Sequence, residues 1–183
     1  KNKANRIKCI NNLGQISKAT MSFANDNQSR LPWQLTPNLQ QYHFAGNYKE
    51  SLGHIFAVTA MKMEIQDANI LLSPCDEGRR PASEKLETNW GKYNTAGGNV
   101  MPNDAISYVL IRGADQVRPV TVLAATRNLS TCDIATSRWV GANENPVQKH
   151  AMTGLNKGRG QLVLADGSAT FAADTDLGEG GQV

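Results

Sequence analysis

At 183 residues, with 40% hydrophobic and 19% charged side chains, the chain has the size of one domain with a single core and is too apolar to be disordered. No apolar run approaches the roughly 18 residues that cross a bilayer, and no stretch reads as a secretory signal. The net charge is +3, and the basic residues neither alternate with aromatics nor match a binding motif, which argues against nucleic acid as a partner.

The first stretch sets the frame. Cys9, Leu13, Ile16, Thr20 and Phe23 recur at alternating spacings of four and three, and Ile10, Ala19 and Ala24 widen the stripe into one apolar helical face. Lys3, Arg6, Lys8, Asn11, Asn12, Lys18, Ser22 and Asn25 fall outside it and are expected in water. Asn25-Asp26-Asn27 are poor helix formers and Leu31-Pro32 blocks continuation. A helix over residues 3–27 is therefore predicted, roughly 37 Å long at about 1.5 Å per residue. Lys1, Lys3, Arg6 and Lys8 crowd the end where the helix dipole is already positive, and only Asn2 resembles an N-cap. We expect the natural helix to begin upstream of Lys1.

Residues 28–50, rich in Gln, Pro, Asn and Tyr, read as a loop pinned by Trp33 and Leu35. Leu52, Ile55, Phe56, Thr59, Ala60 and Met63, with Ser51 as N-cap, predict a second helix over 51–66, with His54 beside its face as a structural residue. Ile70-Leu71-Leu72 then runs along the core to Pro74. Residues 76–104 read as a second loop, anchored by Trp90 and Tyr93. β-branched and aromatic content predicts strands at 106–111 and 119–126. After a polar insertion at 127–160, strands 161–165 and 168–172 form a hairpin on Asp166-Gly167, a pair suited to a type I′ turn. The fold class is α+β: a long N-terminal helix packed on an antiparallel sheet of about four strands, with residues 1–183 as one domain.

Lys3-Ala4-Asn5-Arg6-Ile7-Lys8-Cys9-Ile10-Asn11-Asn12-Leu13-Gly14-Gln15-Ile16, followed by Phe23-Ala24-Asn25-Asp26-Asn27 and Arg30-Leu31-Pro32, resembles the segment just after the membrane helix of type IV pilin-like proteins. The nearest branch is the pseudopilin group with a prepilin-type cleavage and methylation signal, often labelled general secretion pathway protein G. Leu71-Leu72-Ser73-Pro74-Cys75-Asp76 looks like a shuffled form of its Cys-Pro-x-Asp motif, with Cys and Pro exchanged. His150, Gly154 and 161–168 resemble its closing His…Gly…Ala-Asp-Gly hairpin, with Ser168 where the family often has His. The resemblance touches both ends and one middle point of the chain.

That resemblance implies a pilin fold and a subunit of a type II secretion pseudopilus or type IV-like pilus. The partners it implies are copies of the chain and other pseudopilins, an inner-membrane assembly platform, and a prepilin peptidase acting on an absent N-terminal segment. The full-length protein would be anchored in the inner membrane, with this domain periplasmic or extracellular. Lys3, Arg6, Cys9, Ile10, Leu13, Ile16, Thr20 and Phe23 are the helix-packing and assembly residues it implies.

Three cysteines cannot all pair. Cys9 lies on the buried stripe, while Cys75 and Cys132 each precede an Asp in loop-like sequence, and an envelope location would permit a disulfide between them. No spacing resembles a zinc site. Asp166, Asp174, Asp176 and Glu179 offer oxygen ligands for calcium, although not at EF-hand spacing; no other cofactor is expected. Gly-x-Ser-x-Gly, Walker, Gly-x-Gly-x-x-Gly and His-Glu-x-x-His patterns are all missing, so no enzymatic activity is expected. The alternative is an envelope-anchored binding module whose loops 76–104 and 127–160 recognise polysaccharide or protein, with Trp90, Tyr93 and Trp139 as stacking candidates.

Charge is unevenly spread. Residues 1–30 hold six basic side chains against Asp26 alone, and residues 166–183 hold four acidic ones and no Lys or Arg. Such ends can attract one another between subunits, place the basic end near anionic lipid, or stay solvated. Asn27 and Asn128 head Asn-x-Ser sequons, which matter only in a eukaryotic secreted protein.

Overall fold

Helix α1 (Asn2–Asp26) is the predicted first helix, 25 residues long, and it lies across a four-stranded antiparallel sheet. The computed structural model describes residues 2–76, 93–102, 105–131, 136–146, 150–152 and 154–173, and backbone alone for Asn2. Cys9, Leu13, Ile16, Ala19, Thr20, Phe23 and Ala24 are all buried, so the apolar stripe is the buried face. Thr20 satisfies its hydroxyl within the helix by donating to the Ile16 carbonyl at 2.7 Å. The helix ends where Gln28 and Ser29 take positive φ. Asn27 closes that end, donating to the Phe23 carbonyl at 2.7 Å and meeting His43 Nε2 at 2.7 Å.

Three residues expected in water, Arg6, Asn12 and Ser22, are half-buried. Asn12 Nδ2 donates to the Leu72 carbonyl at 3.2 Å and to the Tyr108 hydroxyl at 3.1 Å. A polar side chain at the stripe's margin thus ties the helix to the chain crossing beneath it.

The loop expected over 28–50 contains helix α2 (Pro37–Phe44). Thr36 accepts from the Leu39 amide at 3.4 Å, Pro37 opens the first turn, and Ala45 ends the helix in the left-handed region. The helix predicted over 51–66 is two: α3 (Leu52–Phe56) and α4 (Thr59–Ile65), broken at Ala57 and the extended Val58. The break shifts the helical phase, so Met61 and Ile65 are buried while Thr59 and Met63 face solvent. Ser51 makes no cap bond; its hydroxyl meets His54 Nδ1 at 2.5 Å.

Strands β1 (Tyr108–Leu110), β2 (Val122–Thr126), β3 (Arg159–Leu164) and β4 (Ala169–Ala173) lie in the order β1-β2-β3-β4, every neighbour antiparallel. β1 and β2 are shorter than predicted. The Ser107 amide turns away to the Leu71 carbonyl while its own carbonyl accepts from the Arg127 amide, and Thr121 is held in a turn by the Arg118 carbonyl. The β3–β4 connection is not type I′, since Asp166 keeps negative φ and Gly167 alone has φ +92. The Gly167 amide bonds the Leu164 carbonyl and the Leu164 amide bonds the Ser168 carbonyl, the pattern of a three-residue loop ending in a left-handed glycine.

A bulge decides which β2 residues face the helix. Val122 pairs with Leu164 and Ala124 with Val163, leaving Leu123 as the extra residue. Leu123 and Ala124 therefore both join the core under α1, while Val122 and Ala125 join a second cluster on the opposite face with Leu129, Trp139, Leu162 and Ala172.

That opposite face is covered by the stretch expected to be a polar insertion. Trp139 is wholly buried and donates from Nε1 to the Ala173 carbonyl at 3.1 Å. Its ring occupies the place of a missing side chain: a Cβ on Gly160 would lie 2.1 Å from Trp139 Cε3. Asn128 Nδ2 holds the insertion to the sheet through the Val140 and Arg159 carbonyls, both at 2.9 Å. Arg127 forms a buried fork with Asp76, Nε to Oδ2 at 2.7 Å and Nη2 to Oδ1 at 2.6 Å, and also donates to the His150 and Ala151 carbonyls. Both sequon asparagines, Asn27 and Asn128, are buried in structural bonds.

Candidate functional site

α1 is joined to the sheet by polar bonds as well as apolar packing. Gln161 of β3 donates to the Arg6 carbonyl at 3.1 Å, and Ser17 donates to the Leu164 carbonyl at 3.2 Å. Under the helix, Cys9 Sγ accepts from Ser73 Oγ at 3.1 Å and from the Tyr108 hydroxyl at 3.3 Å. Ser73 Oγ in turn accepts from the Cys75 amide at 3.0 Å. Burial pushes the Cys9 thiol up to about 12, so it stays protonated and acts as a hydrogen-bonding core group, not only as a small apolar one.

Of the eight assembly residues read from the sequence, Cys9, Leu13, Ile16, Thr20 and Phe23 are buried in this core. Ile10 and Arg6 are half-buried and Lys3 is exposed. Of those eight, the ones a partner can touch lie at the N-terminal end of the helix, and there the structure adds a residue that periodicity did not single out: Ile7, 45% exposed.

Those turns stand over a cleft of about 1010 Å³ between α1 and the β3–β4 edge. Lys3, Arg6 and Ile7 line it from one helix face at spacings of three and four, Lys157 from the approach to β3, Arg159 from the start of β3, and Phe171 from β4. Phe171 pairs with Gln161, so it lies on the helix side of the sheet, and as part of the edge strand it remains 56% exposed. The turn carrying Lys157 is fixed from below: the Lys157 amide bonds Asn143 Oδ1 at 2.8 Å, and Gly141 passes so close that a Cβ there would sit 1.9 Å from the Lys157 nitrogen. The Gly158 amide bonds the Trp139 carbonyl at 2.9 Å.

Every charged side chain among the described residues that line the cleft is basic. The ion pairs of the described residues are Arg112–Glu50, Arg118–Asp115, Arg127–Asp76 and Arg138–Glu144, so none of the four lining cations is neutralised there. Arg6 Nε and Gln161 Oε1, at the helix–strand joint, are buried without a hydrogen-bond partner. The first turn of α1 carries no acid to offset the dipole.

The other sequence-derived residues fare differently. Trp139 is a core residue and no stacking surface; Tyr93 is half-buried against the core under α1. Trp90 and Cys132 lie outside the described residues, so a Cys75–Cys132 pairing is not placed; Cys75 is buried with Met152 and Leu155. Asp166 is exposed in the β3–β4 turn, its Oδ1 accepting from the Ser168 amide at 2.8 Å, a bond that holds its carboxyl below the usual range. Asp174, Asp176 and Glu179 lie outside the described residues, and among the described residues no three His, Cys, Asp or Glu group to hold a metal. The Ser51–His54 pair is local to one helix end and has no carboxylate orienting the imidazole among its described bonds. No helix among the described residues is long and apolar enough to cross a membrane.

Sequence reasoning missed Lys157, Arg159, Phe171 and Ile7. The sequence places Lys157 and Arg159 about 150 residues from Lys3 and Arg6, and only the sheet order brings them together. No family model matches the chain, and no curated protein and no solved structure is found to match it.

Proposed function

We propose that the chain is the globular part of a filament subunit, of the kind built by type II secretion or type IV-like pilus machinery. The observation that carries this reading is α1. It is 25 residues long, its buried stripe binds the sheet from Cys9 onward, and Lys3, Ala4, Ile7 and Lys8 at its other end are exposed. A helix held along most of its length by its own domain, with one end clear, suits a subunit that offers that end to a helical assembly. The N-terminal sequence resemblance supports the same reading. The work of the protein is then assembly, with copies of itself and other pseudopilins, an inner-membrane platform and a prepilin peptidase as partners, in the cell envelope.

The test is to express the gene product from its own start codon with and without a prepilin peptidase and to follow its mass and membrane fractionation. The reading expects peptidase-dependent loss of a short leader, gain of one methyl group, and inner-membrane retention. An unchanged mass, or release by an ordinary signal peptidase close to Lys1, overturns it.

A further inference from the structure

The end of the molecule at which α1 begins collects cations from two distant parts of the chain. Lys3, Arg6 and Lys8 come from the first turns of the helix, and Lys157 and Arg159 stand across from them, just before and at the start of β3. Lys3, Lys8, Lys157 and Arg159 are exposed, and none of these cations enters an ion pair among the described residues. Glu144, a described acid near Lys157, is already held by Arg138 Nη1 at 2.9 Å and by the Gly141 amide at 2.8 Å. Wherever residues 174–183 run, their acids, Asp174, Asp176 and Glu179, are fewer than these cations and cannot cancel them.

Ile7 sits among these charges, 45% exposed. By the helical period, Lys3 and Arg6 flank it on one side and Lys8 on the other. Among the described residues no hydrogen bond fixes any of the basic head groups. A shaped acidic partner needs cations held in a fixed geometry, whereas unfixed charge around an exposed aliphatic side chain suits a fluid anionic surface. We propose that this end of the domain docks on an anionic lipid surface, with Lys3, Lys8, Lys157 and Arg159 among the headgroups and Ile7 reaching the boundary beneath them. The contact uses the outer rim of the two segments and not the interior of the cleft. It rests on the filament reading for its place in the cell, where it would seat an unassembled subunit on the membrane, but the contact itself is measurable on this chain alone.

The experiment is cosedimentation of the full chain with vesicles of phosphatidylcholine alone, or with one quarter phosphatidylglycerol, at low and high salt. Binding is expected to the phosphatidylglycerol vesicles only, and at low salt only. A basic residue close to such a surface contributes about fivefold in affinity, so K3E/K8E and K157E/R159E should each weaken binding by roughly twentyfold or more. K3E/K8E places acids where the helix dipole favours them, so the fold is not at risk. K18E/K49E makes the same change in net charge elsewhere. Lys18 stands about 15 Å further along α1. Lys49 adjoins the Glu50–Arg112 pair of the β1–β2 connection, whose Gln116 bonds Asn25 at the far end of the helix. This control should bind within about threefold of wild type, being beyond the reach of screened charge. No binding by wild type at low salt, equal binding to both lipids, or an equal loss from K18E/K49E overturns the proposal. Binding to soluble polyglutamate as tight as to the vesicles would assign the face to an acidic protein, and would overturn it equally. Peptidase-dependent methylation of the full-length protein together with any of those results would sink this surface and leave the filament reading standing; phosphatidylglycerol-specific binding without methylation would do the reverse.

Discussion

One face of the sheet is covered by a regular helix, the other by irregular chain wrapped around a tryptophan. Under α1 the cover is periodic: Cys9, Leu13, Ile16 and Phe23 repeat by the helical turn and meet Leu123, Ala124 and Val163. On the opposite face Trp139 is the largest buried side chain, and Gly160 supplies the space for it. A distributed cover loses one contact at a time, whereas a cover built on one ring loses its centre at once. The faces should therefore respond differently to substitution.

The largest effect is expected from Trp139→Ala, which empties the second core and removes the indole's hydrogen bond to the Ala173 carbonyl. A loss of about 3–5 kcal/mol in urea unfolding is expected; a loss below about 1 kcal/mol would contradict the central place given to this ring. Leu13→Ala, in the helix-covered core, should cost about 2–5 kcal/mol and fall below the tryptophan change in the same experiment. Gly160→Ala sharpens the contrast further. Its backbone φ is ordinary, so only the ring opposes a Cβ, and overpacking should cost about 1–3 kcal/mol. In a Trp139→Ala background that cost should disappear; a strictly additive double variant would show that ring and glycine are not in contact.

The smallest effects come from titration on the helix side. With the Cys9 thiol pushed up to about 12, iodoacetamide at mildly alkaline pH should leave it unmodified in the native chain and alkylate it after denaturation. Rapid native labelling would place Cys9 outside the core. His43 packs on Phe23 with ring centroids 4.9 Å apart, and burial holds its imidazole below the ordinary value of 6.5. The unfolded chain then binds the proton more readily, so stability is at its full value above pH 6.5 and falls as the pH drops below it. His43→Gln should flatten that slope.

The contrast between the faces also explains what could be read in advance. Periodicity needs a regular element, so α1 from its start to Asp26 and the hairpin around Gly167 were legible. Trp139 sits among Ser, Arg and Gly in sequence, and nothing local to it says that a glycine 21 positions on leaves room for its ring. Thr36-Pro37 carried a readable helix start that the polar composition of 28–50 obscured. The break at Ala57-Val58 has no breaker residue; Gly53, packed against the Met101 carbonyl, shows that tertiary contact sets the path of that segment. Of the cleft, only the basic residues Lys3 and Arg6 at its helix side were legible in the sequence. Its geometry comes from β3 and β4 lying beneath the first turns of α1, which is a property of the sheet order.

The measurement closest to the central claim is electron microscopy of envelope material sheared from cells that express the full-length protein, labelled with an antibody against this domain. The account predicts thin helical filaments decorated along their length, lost when the prepilin peptidase is deleted. Label spread over the envelope with no filaments, unchanged by that deletion, would contradict it.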